Sequence, residues 1–209
     1  MSVNVFGVKI VVELWTVILM VLVFFDAFIY IKKRSVGLSK IHYIVAAGIL
    51  VVLAVISLIA HEAGHALAST IVGNPINQAG ISWWGAYVMP QNALSKTPPL
   101  HEIFVAMAGP AMNFAIALIC VVPVKMMGES LSENSIQYLS YINIRLGRLN
   151  LFPILILDGG KVLDGLLRLF FNNSNTVTTL GIVFGTAFIA YYFFFRGKKP
   201  VIEDKLDTL

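Results

Sequence analysis

Residues 41–72 read IHYIVAAGILVVLAVISLIAHEAGHALASTIV, an apolar run without a single proline. About 20 predominantly apolar residues are enough to cross the hydrocarbon core of a bilayer as a helix, so this run predicts a long membrane-spanning helix. Its first part, to Ala60, is mostly aliphatic, whereas the stretch from His61 to Ser69 holds two histidines, a glutamate and several small residues. Ionisable side chains are expensive inside a membrane and usually mark a functional site. The second half of this helix is therefore where chemistry is expected.

The composition of the whole chain is that of a membrane protein. Of its 209 residues, 58% are hydrophobic and 12% are charged, far from the balance of an ordinary soluble domain. Further apolar stretches that predict spans cover residues 14–31, 103–127, 135–157 and 176–195. We therefore predict an all-α membrane protein, a bundle of about five to six transmembrane helices that forms a single domain over residues 1–209.

Charge and cysteine content exclude several classes of protein. The net charge is +4, and the positive side chains gather at the ends of spans, in residues 32–34 and 196–199, as anchoring charges do. This basicity does not indicate a nucleic-acid partner. Cys120 is the only cysteine, so an intrachain disulfide and a multi-cysteine metal site are both excluded.

Residues 73–99 interrupt the helical pattern. Glycines, prolines and asparagines separate short alternating pieces there, which predicts a loop with a hairpin. The loop also holds two tryptophans, a tyrosine and a methionine, so it is expected to lie in or against the membrane, sheltered by protein. The segment from Val3 to Glu13 is rich in β-branched residues and predicts a short strand before the first span. The bundle is therefore expected to carry a small membrane-associated β hairpin or sheet.

The segment His61-Glu62-Ala63-Gly64-His65 matches the pattern H-E-x-x-H. On a helix the two histidines lie one turn apart on the same face, where both imidazoles can reach one zinc ion. Zinc lowers the pKa of a bound water to about 7, and Glu62 beside it is then expected to take the proton of that water. So short a pattern also occurs by chance, but three ionisable residues together in an apolar helix favour the metal interpretation.

A catalytic zinc takes three protein ligands and keeps a fourth position open, so one more ligand is required. His42, His101 and Asp26 are candidates, but their positions near span ends or in a proline-flanked loop favour interfacial residues. Asp158 follows the apolar run 154–157 and precedes two glycines, which lets other backbone approach the carboxylate closely. We therefore predict Asp158 as the third ligand, with a capping residue of the following amphipathic segment as the alternative.

The two motifs together resemble the site-2 protease family of intramembrane zinc metalloproteases. The second motif of that family reads N-x-x-P-x-x-x-x-D-G-G, and residues 150–160, NLFPILILDGG, match every specified position. The pair Gly109-Pro110 and Asn113 in the third predicted span agree with this resemblance. Many members have prolines where this chain has Leu155 and Ile156, a difference that concerns the shape of the loop and not the ligand.

The resemblance implies one zinc ion per chain, held by the two histidines and Asp158, with Glu62 as catalytic base. It also implies a multi-pass protein of the cell membrane that cleaves transmembrane segments of single-span partners within the lipid bilayer. The substrate helix is expected to unwind and to pair as a strand with the hairpin at residues 76–89. For Asn150 two roles stay open, because its amide suits either the substrate and oxyanion or the backbone freed by Pro153.

Two alternative functions and the membrane orientation also stay open. A membrane transporter for zinc or another ion would carry histidines and carboxylates in its spans, but it gives the Asp158 motif no role. A catalytically idle relative would not need both motifs intact. The Lys32–Lys40 loop holds four positive charges and belongs in the cytoplasm by the positive-inside rule, whereas the resemblance implies that the hairpin side faces the cytosol. The sequence assigns no role to Asn113, Arg145 or Arg148.

Overall fold

The structure is a computed structural model that describes residues 2–5, 7–82, 85–124, 130–154, 156–171, 183 and 185–187. This part of the chain contains five α-helices of 13 residues or more and four β-strands. The helices are α1 (Thr16–Arg34), α2 (Lys40–Ile71), α3 (Pro99–Val124), α4 (Leu131–Asn150) and α5 (Asp158–Phe170). The strands are β1 (Ser2–Val5), β2 (Val8–Val12), β3 (Ile76–Ser82) and β4 (Gly85–Pro90).

Helix α2 is the central element and packs against α1, α3 and α4. Its buried face consists largely of small residues, among them Ala46, Ala47, Ala54, Ser57, Gly64 and Ala68. Large aliphatic residues such as Ile49, Val52 and Ile56 are exposed on its outer face. Small residues at helix contacts and aliphatic residues facing outward are the arrangement that membrane helices use, because close backbone approach drives their association.

The predicted helical bundle with a small β element is confirmed in its outline. Within the described residues, α2 and residues Pro99–Pro123 of α3 are long and apolar enough to cross a membrane. The predicted number of spans stays a prediction, since the stretch 176–195 lies mostly outside the described residues. Helix α4 ends at Asn150 and not near residue 157 as expected, because Pro153 supplies no backbone N–H to continue a helix.

The four strands form one mixed sheet in the order β1-β2-β3-β4. The predicted single strand at the N-terminus is instead two antiparallel strands, β1 and β2, separated by a turn in which Gly7 has a φ of 83°. Strand β2 pairs in parallel with β3, although α1 and α2 lie between them in the chain. Strands β3 and β4 form the hairpin expected in residues 73–99.

Three hydrogen bonds fix the hairpin to the end of α2. The side chain of Asn74 donates to the carbonyl oxygen of Asn92 over 2.9 Å and accepts from the backbone N–H of Asn92 over 2.9 Å. The hydroxyl of Ser69 in α2 donates to the carbonyl oxygen of Asn74 over 2.5 Å. These bonds tie both ends of the hairpin to the helix that carries the histidines, and so fix β4 relative to them.

The last turn of α5 is tied to the start of α3 by Arg168. Its guanidinium donates to the carbonyl oxygens of Ser95 and Thr97 over 2.6 and 3.1 Å. It also pairs with the carboxylate of Glu102 and lies 3.2 Å from that of Asp164. Glu102 is only 3% exposed, so its charge depends on this partner. The cluster holds α5 in place, and α5 begins with Asp158.

Replacing Arg168 with leucine is expected to destabilise the protein by about 3–5 kcal/mol, because it leaves the buried Glu102 carboxylate without its counter-ion. Thermal unfolding of the purified protein in detergent measures the effect. The matched control is Arg148→Leu, since Arg148 lies on the exposed side of α4 and its loss should change the melting temperature little. Equal melting of the two variants would contradict the role given to Arg168.

Candidate metal centre

Two histidines one turn apart on α2 form the base of the site. His61 and His65 are 3% and 5% exposed, and their Nε2 atoms lie 3.1 Å apart. Helix α3 comes very close here because Gly64 has no side chain: a β-carbon on Gly64 would lie 2.7 Å from the carbonyl oxygen of Ala108. The close contact brings the backbone of α3 beside both imidazoles.

The third group of the site is Asp158, the first residue of α5. Its Oδ2 atom lies 3.1 Å from Nε2 of His61 and 3.1 Å from Nε2 of His65. The three predicted ligands, 97 positions apart at their extremes, therefore meet in one place. The alternative role of Asp158 as a helix cap is not the arrangement found, because the N-cap position of α5 is occupied by Leu157.

The partners on the far side of the rings determine which nitrogens carry hydrogen. Nδ1 of His65 lies 2.7 Å from the carbonyl oxygen of Val105, and a carbonyl only accepts, so this Nδ1 donates. Nδ1 of His61 lies 2.5 Å from Oδ1 of Asn113. In the neutral rings both Nε2 atoms are then acceptors, and they face an acceptor oxygen of Asp158. With both rings neutral, three buried acceptors face one another with no hydrogen between them, an arrangement that a bound cation would satisfy.

Zinc fits this arrangement. Tetrahedral zinc with bonds of about 2.0–2.1 Å places neighbouring ligand atoms about 3.3 Å apart, close to the 3.1 Å separations found. Two imidazoles and one carboxylate are ligands that zinc accepts, and three ligands leave a fourth position open. In the part of the chain that the structure describes, this is the one group of three histidine, cysteine or acidic side chains close enough to share an ion.

A relay of amides fixes the orientation of Asn113. The amide nitrogen of Asn143 donates to the carbonyl oxygen of Leu139 over 2.9 Å and to Oγ of Ser57 over 3.0 Å. Its oxygen accepts from the amide nitrogen of Asn113 over 2.9 Å, which turns the oxygen of Asn113 towards His61. Because both asparagines are fully buried, the relay determines which nitrogen of the ring is free for a metal.

The second oxygen of Asp158 has a different partner. Its Oδ1 atom accepts a hydrogen bond of 3.0 Å from Nζ of Lys161, one turn further along α5. The side chain of Lys161 is 39% exposed, whereas that of Asp158 is 6% exposed. The two carboxylate oxygens therefore differ: one faces the histidines and the other is held by an ammonium group.

A cavity of 820 Å³ lies against this cluster. The histidine, acidic, amide and lysine side chains of its lining are His61, Glu62, His65, Asn150, Asp158 and Lys161. Most of the remaining lining is apolar and comes from α2, β4 and the last turns of α4, including Leu58, Val88, Leu146 and Leu149. Glu62 is thus next to the cluster in both sequence and space, inside a largely apolar space large enough for a peptide segment.

Asn150 lies at the cavity, but its amide has a local partner. The amide nitrogen donates to the carbonyl oxygen of Leu146 in the same helix over 3.1 Å. The carbonyl oxygen of Leu149, four residues before Pro153, accepts from the N–H of Phe152 over 3.1 Å, so the Asn150 amide is bonded to a different backbone carbonyl, and both roles of Asn150 stay predictions.

The candidates set aside for the third ligand lie elsewhere. Nδ1 of His42 is 2.7 Å from Oγ of Ser39 at the start of α2, and His101 lies in the first turn of α3.

The carboxylate of Asp26 accepts from the hydroxyl of Tyr138 over 3.1 Å and lies 3.9 Å from the guanidinium of Arg145. Asp26 and Arg145 therefore belong to the contact between α1 and α4.

Sequence reasoning did not identify Ser57, Asn143 and Lys161. Signals for all three were present. Ser57 lies one turn before His61 on the same face of α2, Asn143 is a polar residue in a predicted span, and Lys161 lies one turn after Asp158. The contact of Lys161 with Asp158 follows from spacing within one helix. The contact of Asn143 with Ser57 depends on which helices face each other, and spacing within one helix does not give this.

Comparisons with known proteins place these motifs in a family. The sequence model of peptidase family M50 matches residues 47–132 and 122–192. A zinc metalloprotease of Methanocaldococcus jannaschii is 27% identical over 141 residues, which are 67% of this chain and 40% of the relative. A putative zinc metalloprotease of Synechocystis sp. is 29% identical over 124 residues, which are 57% of this chain and 31% of the relative. This chain therefore spans less than half the length of either relative.

A solved structure has a similar fold. A site-2 protease from Methanocaldococcus jannaschii matches with a TM-score of 0.60 and 22% sequence identity, over 92% of this chain and 84% of that one. At this identity the likeness is one of fold.

A Gly109→Ala substitution is expected to remove most of the bound zinc. A β-carbon at this position of α3 would lie 2.6 Å from Nε2 of His61 and closer still to that of His65. Neither ring can turn aside without losing its Nδ1 partner. We expect the variant to bind zinc at least about tenfold more weakly than the wild type, measured by elemental analysis after dialysis against a chelator.

The matched control is Gly48→Ala. Gly48 lies in α2, and a β-carbon there meets no atom within 4 Å, so this variant should retain the zinc of the wild type. Full zinc content in the Gly109→Ala protein would show that this glycine does not keep the ligand space clear.

Proposed function

We propose, from the premise that the chain belongs to peptidase family M50, that it is a zinc-dependent intramembrane endopeptidase that cleaves transmembrane segments of partner proteins. The observation that carries this proposal is the triangle of buried acceptor atoms beside Glu62 at the wall of an 820 Å³ cavity. The resemblance to site-2 proteases, first seen in the two motifs, is confirmed by the family match.

His61, His65 and Asp158 are the residues that would hold the zinc ion. When bound there, zinc supplies a Lewis acid that polarises a carbonyl and lowers the pKa of water. The protein keeps this ligand set oriented through the bonds at Nδ1 of both rings, and the apolar cavity walls limit the water that reaches it.

Glu62 serves as the catalytic base. It follows His61 directly on α2 and lines the same cavity, and it is not one of the three groups that face one another. A carboxylate so placed takes a proton from the attacking water and returns one to the leaving amine.

Asn150 serves to bind substrate. Its amide has two N–H donors, one of which donates to the carbonyl oxygen of Leu146. Since Asn150 lines the cavity, the other donor suits a substrate carbonyl near the scissile bond, where charge develops during hydrolysis.

Strand β4 gives the substrate a surface to pair with. It is the last strand in the sheet order β1-β2-β3-β4, and Gly85, Ala86, Tyr87, Val88 and Pro90 of this strand line the cavity. An extended peptide that adds to this edge would run past the metal cluster. A substrate helix must therefore unwind locally, because its peptide groups are otherwise hydrogen-bonded within the helix.

We place the protein in the cell membrane as a multi-pass protein with about five to six spans, with single-span membrane proteins as substrates. The apolar helices α2 and α3 support this placement, as do the exposed aliphatic side chains along α1, such as Val21, Leu22 and Ile29. Membership of a peptidase family favours proteolysis over the alternative of an ion transporter.

A Glu62→Gln substitution is expected to lower the cleavage rate of a single-span test substrate by about 100-fold or more, the usual contribution of a general base. The zinc content should not change, because the amide has nearly the same size and Glu62 is not a ligand. Glu133→Gln at the start of α4 is the matched control and should cleave at the wild-type rate. Wild-type cleavage by the Glu62→Gln protein would contradict the mechanism.

Substrates whose helix is weakened at the cleavage site should be cut faster. Each leucine replaced by glycine lowers helix stability by about 1 kcal/mol, so a glycine pair at the cut should raise the rate by up to about 30-fold. The control substrate carries the same pair at the far end of its transmembrane segment. Equal rates for the two substrates would count against a requirement for local unwinding.

A further inference from the structure

The two oxygens of the Asp158 carboxylate contact different groups. Oδ2 lies 3.1 Å from each histidine Nε2 atom. Oδ1 accepts a hydrogen bond of 3.0 Å from Nζ of Lys161. The mechanism proposed above uses Oδ2 and gives no role to Lys161.

A carboxylate binds a metal ion through one oxygen or through both. Catalytic zinc needs an open position beside its three protein ligands, and a carboxylate that binds through both oxygens would raise the coordination number above four when that position is filled. A charge-assisted hydrogen bond to the second oxygen opposes this, because it is roughly twice as strong as a neutral one.

Because Asp158 is buried, Lys161 is the main hydrogen-bond donor available to Oδ1. The side chain of Asp158 is only 6% exposed, so bulk water has little access to Oδ1. Lys161 approaches from the cavity wall, and it is the one lysine or arginine among the described residues that line the cavity. It lies one turn after Asp158 on α5, where side chains three residues apart are neighbours. The last turn of that helix is in turn fixed by Arg168.

We infer that Lys161 is a positioning residue that holds Asp158 as a one-oxygen ligand, so that the metal would be four-coordinate and not five-coordinate when its open position is filled. This inference rests on the proposed function, since it concerns the same zinc site. If Lys161 were only a surface residue, its loss would leave the number of metal-bound atoms unchanged.

The test uses the full-length protein with cobalt in place of zinc, because the visible absorption of cobalt weakens as its coordination number rises above four. In the Lys161→Met protein we expect weaker absorption than in the wild type and cleavage about 10–100-fold slower, with the cobalt content unchanged. Lys161→Arg keeps a charged donor and should retain the wild-type spectrum. Lys32→Met, at the exposed end of α1, is the matched control and should behave as wild type.

A Lys161→Met protein with the spectrum and cleavage rate of the wild type would overturn the inference, as would an arginine variant that behaves like the methionine variant. If the methionine variant does not fold, Lys161→Gln replaces it, since its neutral amide would hold Oδ1 less strongly than the charged amine does. A spectrum weaker than that of the wild type then supports the inference, and the spectrum and cleavage rate of the wild type overturn it. Failure of the proposed function looks different, because the wild-type protein itself would then bind no cobalt or cleave independently of Glu62.

Discussion

Three acceptor atoms that face one another in a buried space are the constraint on which the rest of the structure depends. The Nε2 atoms of two histidines and one oxygen of Asp158 lie 3.1 Å from each other. With both rings neutral, a bound cation would stabilise this cluster, because lone pairs at this distance repel and burial removes the water that would otherwise solvate them. The close contact of α3 with α2 at Gly64 and the placement of α5 both serve to bring these atoms together.

The same constraint explains the polar side chains inside the bundle. In hydrocarbon an unpaired polar group costs several kcal/mol, so every group that orients a ligand needs a partner of its own. Ser57 on α2, Asn113 on α3 and Asn143 on α4 satisfy one another and end on the carbonyl oxygen of Leu139. Hydrogen bonds of this kind also hold membrane helices together, so the relay that orients His61 also fixes the mutual position of three helices.

The sequence predicted the features that depend on local interactions, and it did not predict those that depend on contacts between distant segments. The long helix from Lys40 to Ile71 and the shared face of its two histidines follow from composition and helical periodicity, which are local. The convergence of Asp158 with them followed from the need for a third ligand and from the resemblance of the motifs. The parallel pairing of β2 with β3 and the amide relay join segments far apart in the chain, and no local pattern specifies such contacts.

The backbone of the second motif, residues 150–160, determines where its aspartate lies. Helix α4 ends at Asn150, Pro153 prevents its continuation, and the chain turns so that α5 begins at the ligand itself. A β-carbon on Gly159 would collide with the carbonyl groups of Leu151 and Phe152, so only glycine allows the new helix to start this close to the end of the old one. Had α4 continued as one helix, Asp158 would have moved along the axis of α4 at about 1.5 Å per residue, away from the histidines. The proline and the first glycine of the motif therefore form the turn that places the ligand, which explains why their spacing from Asp158 is specified together with the aspartate.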